Sequence, residues 1–129
     1  MNVAAILSGG TGTRAKAGMP KQFVNLGGKM VIERTIEAFN AHPQIDEIIV
    51  VSHPDYTGML KEIQLAYEKW HLTVEGGSER YLSSWAAIRA CENFKGNLLI
   101  HDAARPNVSS ELISRVIMTT LSFLILQSD

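Results

Sequence analysis

Four short apolar runs alternate along the chain with longer stretches whose apolar residues recur at helical spacing. A strand covered on both faces reads as a continuous apolar run, and joining it to a parallel neighbour requires a crossover helix. The alternation therefore constrains the fold to β-α-β units around a mostly parallel sheet, an α/β, Rossmann-like class. The runs are residues 3–7, Ile45 with 48–51, 72–74 and 98–100. Between them, Val31, Ile32, Ile36 and Phe39 predict a first helix over about 29–41, with Pro43 as its stop signal. Leu60, Ile63, Tyr67 and Trp70 mark a second helix after Asp55. Ser78 is placed to cap a third, with Leu82, Trp85, Ala86 and Ile88 facing inward and Gly96 ending the segment. After the break at Pro106, Ser109 is placed to cap a last helix whose buried stripe is Leu112, Ile113, Val116 and Ile117. Right-handed crossovers bring the loops after the first, third and fourth strands to one rim, where open α/β sheets bind ligands.

At 129 residues the chain is expected to be one domain, 1–129. Twelve Lys+Arg against 13 Asp+Glu leave a net charge of -1. No basic excess is available for a nucleic-acid backbone, so any affinity for phosphate has to be local. The single cysteine, Cys91, excludes an internal disulfide and fits a reducing cytosol. Met1-Asn2-Val3 lacks the charged region and cleavage site of a secretory signal. Val116 to Leu126 falls short of the about 20 residues a membrane span needs. The expectation is a cytoplasmic protein with neither nucleic acid nor membrane as partner. His42, His53 and His71 stand at no metal-ligand spacing and read as surface residues. Tyr67, Trp70 and Trp85 read as core, and Cys91 as a small buried hydrophobe.

The chemistry concentrates in three elements at the expected rim. The first strand runs straight into Ser8-Gly9-Gly10-Thr11-Gly12-Thr13-Arg14, and Pro20-Lys21-Gln22-Phe23 comes one short loop later. Glycines at a strand end leave backbone N–H groups bare, so the loop can wrap an anion. Arg14 adds a planar fork and Lys21 a point charge held by the fixed φ of Pro20. Bare amides beside two cations read as a nucleoside triphosphate site. A Walker loop is excluded, because Lys21 stands too far from Gly9 and no Ser or Thr comes after it. Gly10-x-Gly12-x-x-Ala15 matches the loose dinucleotide fingerprint, but Gly18-Met19-Pro20 interrupts the helix that fingerprint requires.

The second element is Gly76-Gly77-Ser78-Glu79-Arg80 with Ser83, another bare-amide surface before a helix, suited to a base edge or phosphate. The third is His101-Asp102-Ala103-Ala104-Arg105-Pro106. A carboxylate at the exit of a buried strand suits Mg²⁺, which prefers one or two carboxylates plus phosphate oxygens, and Arg105 can neutralise a second anion. His101 reads as a packing or hydrogen-bonding residue rather than a base. Each element also has a plainer reading: solvated loop cations, a simple turn with Ser78 as N-cap only, and a ligand-free Asp102–Arg105 turn pair.

In this order the three elements resemble the cytidylyltransferases of polyol phosphates, over about residues 1–117. The branches nearest in motif act on 2-C-methyl-D-erythritol 4-phosphate, in isoprenoid biosynthesis, and on ribitol 5-phosphate. The resemblance implies a sheet of the nucleotide-diphospho-sugar transferase type and a Mg²⁺-dependent transfer of CMP from CTP to a polyol phosphate, with release of pyrophosphate. It assigns Arg14 and Lys21 to the triphosphate and transition state, and Gly9, Gly10, Gly77 and Ser83 to cytosine and ribose. It also puts Asp102 on Mg²⁺, and Ala103 and Arg105 near the acceptor. Together with the residue-level reading, the nucleotide-binding set is Ser8, Gly9, Gly10, Thr11, Gly12, Thr13, Gly77, Ser78 and Ser83.

The motif His101 to Pro106 favours the methylerythritol branch; Gly9 to Arg14 with Met19-Pro20-Lys21 looks more like the ribitol branch. The family's second half supplies a further metal-binding aspartate, an acceptor lysine and an arm that swaps between subunits of a homodimer. None has a counterpart here, and residues 118–129 leave the family pattern. The expectation is a truncated, aggregation-prone chain, and a CTP-binding module without turnover is the alternative to an active transferase.

Overall fold

The computed structural model of the protein describes residues 1–8, 20–77, 79–93 and 95–128, with no side chains described for 120–128. Four strands form one sheet: β1 (Asn2–Ser8), β4 (Glu47–Ser52), β5 (Trp70–Glu75) and β6 (Asn97–Asp102), in the order β5-β4-β1-β6. Every pairing in it is parallel. Ala4, Ala5 and Ile6 of β1 are wholly buried, as the unbroken apolar run requires of a central strand.

The crossovers are α1 (Val31–Asn40), α2 (Thr57–Gln64) and α3 (Arg80–Ala90), and α4 (Ser110–Ser128) comes after β6. Alternation along β1 divides the core in two. Ala4 and Ile6 pack with Ile32, Ile36, Phe39, Leu60, Ile113 and Ile117, so α1, α2 and α4 cover one face. Ala5 and Leu7 pack with Val51 and Ala87, so α3 covers the other face. Among the described residues no helix is long and apolar enough to cross a membrane.

The structure departs from the expected elements in five places. The first helix begins at Val31, because Lys29–Met30 (β3) pairs antiparallel with Asn25–Leu26 (β2). Gly27 and Gly28 close that hairpin at φ 63 and 95, a tight turn open to glycine, and the Gly28 N–H donates to Asn25 Oδ1 at 3.0 Å.

The second helix stops at Gln64, and Trp70 opens β5 instead of continuing it. Gln64 closes the intervening turn by donating to the Trp70 carbonyl at 3.2 Å and accepting from Thr73 Oγ1 at 2.9 Å. Tyr67 and Trp70 still reach the core, so their helical spacing was met by a turn and a strand.

α3 turns most of its expected face outward, and of the four residues expected inside, Ala86 packs against the core. The helix buries Ser83 and Ala87, while Leu82, Trp85 and Ile88 are exposed, Trp85 by 57%. Small residues at i and i+4 let the helix lie close on the sheet, which turns its large residues outward. The Glu79 backbone stands at its N-cap without a side-chain bond, and Ser78 lies outside the described residues.

α4 buries Ile113 and Ile117 but exposes Leu112 and Val116. Ser109 does cap it, accepting from the Leu112 N–H at 3.0 Å. His42 is buried, 2% exposed, rather than on the surface. Its Nδ1 accepts from the Gln44 N–H at 3.1 Å, which leaves Nε2–H to donate to Ser114 Oγ at 2.8 Å. Cys91 is half-buried, and burial pushes its thiol up, with the charge of Glu47 adding to it.

Candidate active site

The C-terminal ends of the four strands form one rim, and the connection reverses direction there. From β1 the chain steps to β4 and β5 on one side, then crosses under α3 to β6 on the other. The gap between the ends of β1 and β6 is thus a topological switch point, the crevice open α/β sheets use for ligands. Leu7 stands opposite Asp102 in that register, and the Ala103 N–H donates to the Leu7 carbonyl at 2.9 Å.

Ser8 ends β1 as a buried residue and anchors the chain beyond the Gly-rich segment. Gln22 Nε2 donates to Ser8 Oγ at 3.2 Å, and the Phe23 ring packs on Tyr56 at 4.4 Å between centroids. Buried Pro20, Gln22 and Phe23 thereby clamp a single helical turn, Lys21–Phe23, onto the rim and leave only Lys21 exposed. Gln22 stood in the motif without a role; its position between a cation and a buried ring was the available signal. Gly9, Gly10, Thr11, Gly12, Thr13 and Arg14 lie outside the described residues.

On the α3 side, the Gly76 N–H donates to the Ser52 carbonyl at 2.8 Å and carries the chain off β5. A Cβ on Gly76 would sit 2.5 Å from Ser83 Oγ, and one on Gly77 would collide with Leu82. Both glycines are required by close approach rather than by the turn alone. Ser83 is 1% exposed, and its hydroxyl has no hydrogen-bond partner among the described residues. A buried unpaired hydroxyl costs about 1–3 kcal/mol, so its placement calls for an explanation, and a ligand that pairs with it is one.

The β6 exit is tightly built. Asp102 Oδ1 accepts from the Ala104 N–H at 3.0 Å, and Oδ2 faces Arg80 Nη1 at 3.7 Å. The ion pair thus runs to α3, and the Asp102–Arg105 contact is only the backbone bond from Arg105 N–H to the Asp102 carbonyl, 3.2 Å. Ala103 is wholly buried, with its N–H on Leu7 and its carbonyl accepting from Thr35 Oγ1 at 2.9 Å. It contributes a fixed backbone rather than a side chain. His101 Nε2–H donates to the Arg105 carbonyl at 2.9 Å while the ring packs on Phe39, which steadies the segment carrying the exposed Arg105.

Lys21 and Asp102 therefore share one rim. The Lys21–Phe23 turn packs against α1, while Asp102 faces Arg80 of α3. Arg80 stands in the glycine motif with no local signal of a site role; the fold brings it to Asp102. Among the described residues no group of three or more His, Cys, Asp or Glu could enclose a metal. One hard carboxylate fits Mg²⁺ where water and phosphate oxygens supply its other ligands.

The sequence matches the family of 2-C-methyl-D-erythritol 4-phosphate cytidylyltransferases over residues 3–123, six residues past where the motif resemblance ended. It is 39% identical over 115 residues to the 2-C-methyl-D-erythritol 4-phosphate cytidylyltransferase of Thermobifida fusca, covering 86% of this chain and 46% of that protein. It is 40% identical over 120 residues to the bifunctional ribulose 5-phosphate reductase/CDP-ribitol pyrophosphorylase of Haemophilus influenzae, covering 90% of this chain and 25% of that one. The crystal structure of 4-diphosphocytidyl-2C-methyl-D-erythritol synthase from Anaerococcus prevotii superimposes with a TM-score of 0.72 at 26% identity, over 92% of this chain and 50% of that one. The chain thus spans half or less of the length of these relatives. By family match, shared fold and identity to these relatives, it belongs to the 2-C-methyl-D-erythritol 4-phosphate cytidylyltransferase family.

Proposed function

We propose that this chain carries the nucleotide-binding part of a cytidylyltransferase that moves CMP from CTP to a polyol phosphate and releases pyrophosphate. 2-C-Methyl-D-erythritol 4-phosphate is the favoured acceptor. The observation that carries this reading is the buried, unpartnered Ser83 hydroxyl, held close against Gly76 where the chain leaves β5. A hydroxyl that can donate and accept, next to backbone that only glycine allows, suits the polar edge of a base.

In this reading the acceptor phosphate attacks the α-phosphorus of CTP in line, and the bond to the pyrophosphate oxygen breaks. Such a displacement needs positioning and charge neutralisation more than an activated side chain. Lys21, anchored through Gln22 and Phe23, places one fixed positive charge at the rim. Arg14 and the amides of Gly9, Gly10, Thr11, Gly12 and Thr13 are assigned to the phosphates, and Gly77, Ser78 and Ser83 to the nucleoside. Arg105, presented by His101, is assigned to the acceptor anion. Asp102 would hold Mg²⁺, which when bound neutralises phosphate oxygens.

Pyrophosphate release from CTP, with each acceptor in turn, tests the proposal. Release with methylerythritol phosphate is expected, and CTP binding without release from either acceptor would leave a binding module. Ribitol 5-phosphate is the second acceptor to try, supported by the name of the Haemophilus influenzae relative. Replacing Lys21 by Ala is expected to lower the rate by about 10²–10³, as loss of one positioned charge donor does elsewhere.

A further inference from the structure

The Asp102 carboxylate is split between two partners. Oδ1 is committed to the backbone N–H of Ala104 at 3.0 Å, and Oδ2 faces Arg80 Nη1 at 3.7 Å. The second contact is longer than a hydrogen bond, so it is a charge pair between two partly exposed groups, and such pairs are easily broken.

Arg80 also sits where a helix tolerates a cation poorly. It is the first residue of α3, beside the helix's positive end, and the first turn contains no acid to offset it. Among the described residues its one ionic partner is Asp102. Glu79 at the N-cap is the neighbouring acid, but the ion pair Arg80 makes among the described residues is with Asp102.

We infer that Arg80 is the resident counter-ion of Asp102, which a divalent cation has to displace, so that Arg80 sets the metal affinity of the site. The inference rests on the reading of Asp102 as the Mg²⁺ ligand. Both cations compete for the one negative charge of this carboxylate, and Oδ2, free of the Ala104 hydrogen bond, is its less encumbered oxygen. The consequence is a site that binds free metal weakly. A polyanion that draws Arg80 away would raise that affinity, coupling metal entry to the arrival of phosphate. Arg80 is here a positioning residue, acting through Asp102.

The test is titration of the intact chain with Mn²⁺, without nucleotide, read as paramagnetic broadening of the backbone amide resonances of residues 101–105. Arg80→Gln is expected to lower the Mn²⁺ concentration for half-broadening about three- to tenfold, the scale of one unit charge near a partly solvated carboxylate. Arg80→Lys, which keeps the charge, is expected to stay within about twofold of the parent on the same Coulomb reasoning. Asp102→Asn is expected to abolish the broadening. If Asp102→Asn abolishes it but Arg80→Gln matches the parent or binds more weakly, the counter-ion role is overturned while the metal ligand stands. If Asp102→Asn leaves the broadening intact, Asp102 is not the ligand, and both readings fall. Arg80 is exposed, so its variants should fold, and equal thermal melts of parent and variants check this.

Discussion

Ser83 and Tyr67 are both buried polar side chains, but the fold treats them in opposite ways. Ser83 has no partner among the described residues, whereas Tyr67 donates toward Glu33 Oε2 and Glu37 Oε1, each at 3.2 Å. Replacing Ser83 by Ala removes a hydroxyl that the ligand-free protein does not use. The thermal midpoint is expected to hold or rise, while CTP affinity falls roughly tenfold, the worth of one hydrogen bond to a buried group. A fall in both would mean the hydroxyl is structural.

At Tyr67, burial first and the two carboxylates second push the phenol well above its usual range. A group whose folded pKa is raised stabilises the fold fully below its unfolded value. That contribution is lost progressively as pH rises past about 10, where the unfolded tyrosine ionises. Glu37 runs the other way. Its hydrogen bond from Lys29 holds its carboxyl below the usual carboxylate range, so its contribution is lost as pH falls through the acid range. Tyr67→Phe is therefore expected to flatten the alkaline side of a stability-against-pH curve, as measured by urea unfolding, and to weaken the acid side without removing it, because the phenol also helps hold Glu37 down while Lys29 remains.

The elements that frame the crevice are held by small, replaceable features. Ser109 caps α4 with one bond to the Leu112 N–H, and Ser109→Ala is expected to cost about 1 kcal/mol in chemical denaturation. The turn between β5 and α3 is less forgiving. Gly76→Ala puts a methyl 2.5 Å from Ser83 Oγ and 2.8 Å from Val51 Cγ1, so α3 has to lift from the sheet. The expected cost is about 1–3 kcal/mol from overpacking, together with loss of CTP binding by calorimetry. Unchanged binding would separate the turn from the nucleoside site.

The strands, their order along the chain and the last helix cap were legible because a continuous apolar run and a Ser before a helical stripe are local signals. The hairpin of Asn25–Leu26 and Lys29–Met30 was not, since two-residue strands carry no periodicity. Trp70 was misplaced for a related reason: a turn leading into a strand returned a large apolar side chain to the core at a spacing that helices also produce.

For the molecule as a whole, the two faces of the sheet are unequally covered. Among the described residues, α1, α2 and α4 close one face and α3 closes the other with Ser83 and Ala87, leaving Tyr81, Trp85 and Ile88 exposed. Ile100 is also exposed on β6, an edge strand of this sheet. Apolar side chains near an open edge favour association. Sedimentation velocity is expected to show self-association that grows with concentration, and Trp85→Glu is expected to reduce it without lowering the thermal midpoint. A single monomeric species of the parent at high concentration would count against this.

The β-α-β succession, the glycines at the strand ends and the residue types of the three rim motifs can all be read before the chain folds. All of these are written in patterns no longer than a helix turn or a strand. Packing across the sheet settles which helix face turns inward, because burial of α3 depends on how closely its small residues can approach Ala5 and Leu7 of another element. It alone also paired Arg80 with Asp102, residues 22 positions apart that meet when α3 crosses the sheet from one edge to the other. Local pattern fixes what a segment can become; contacts across the crevice form only after the crossovers have closed.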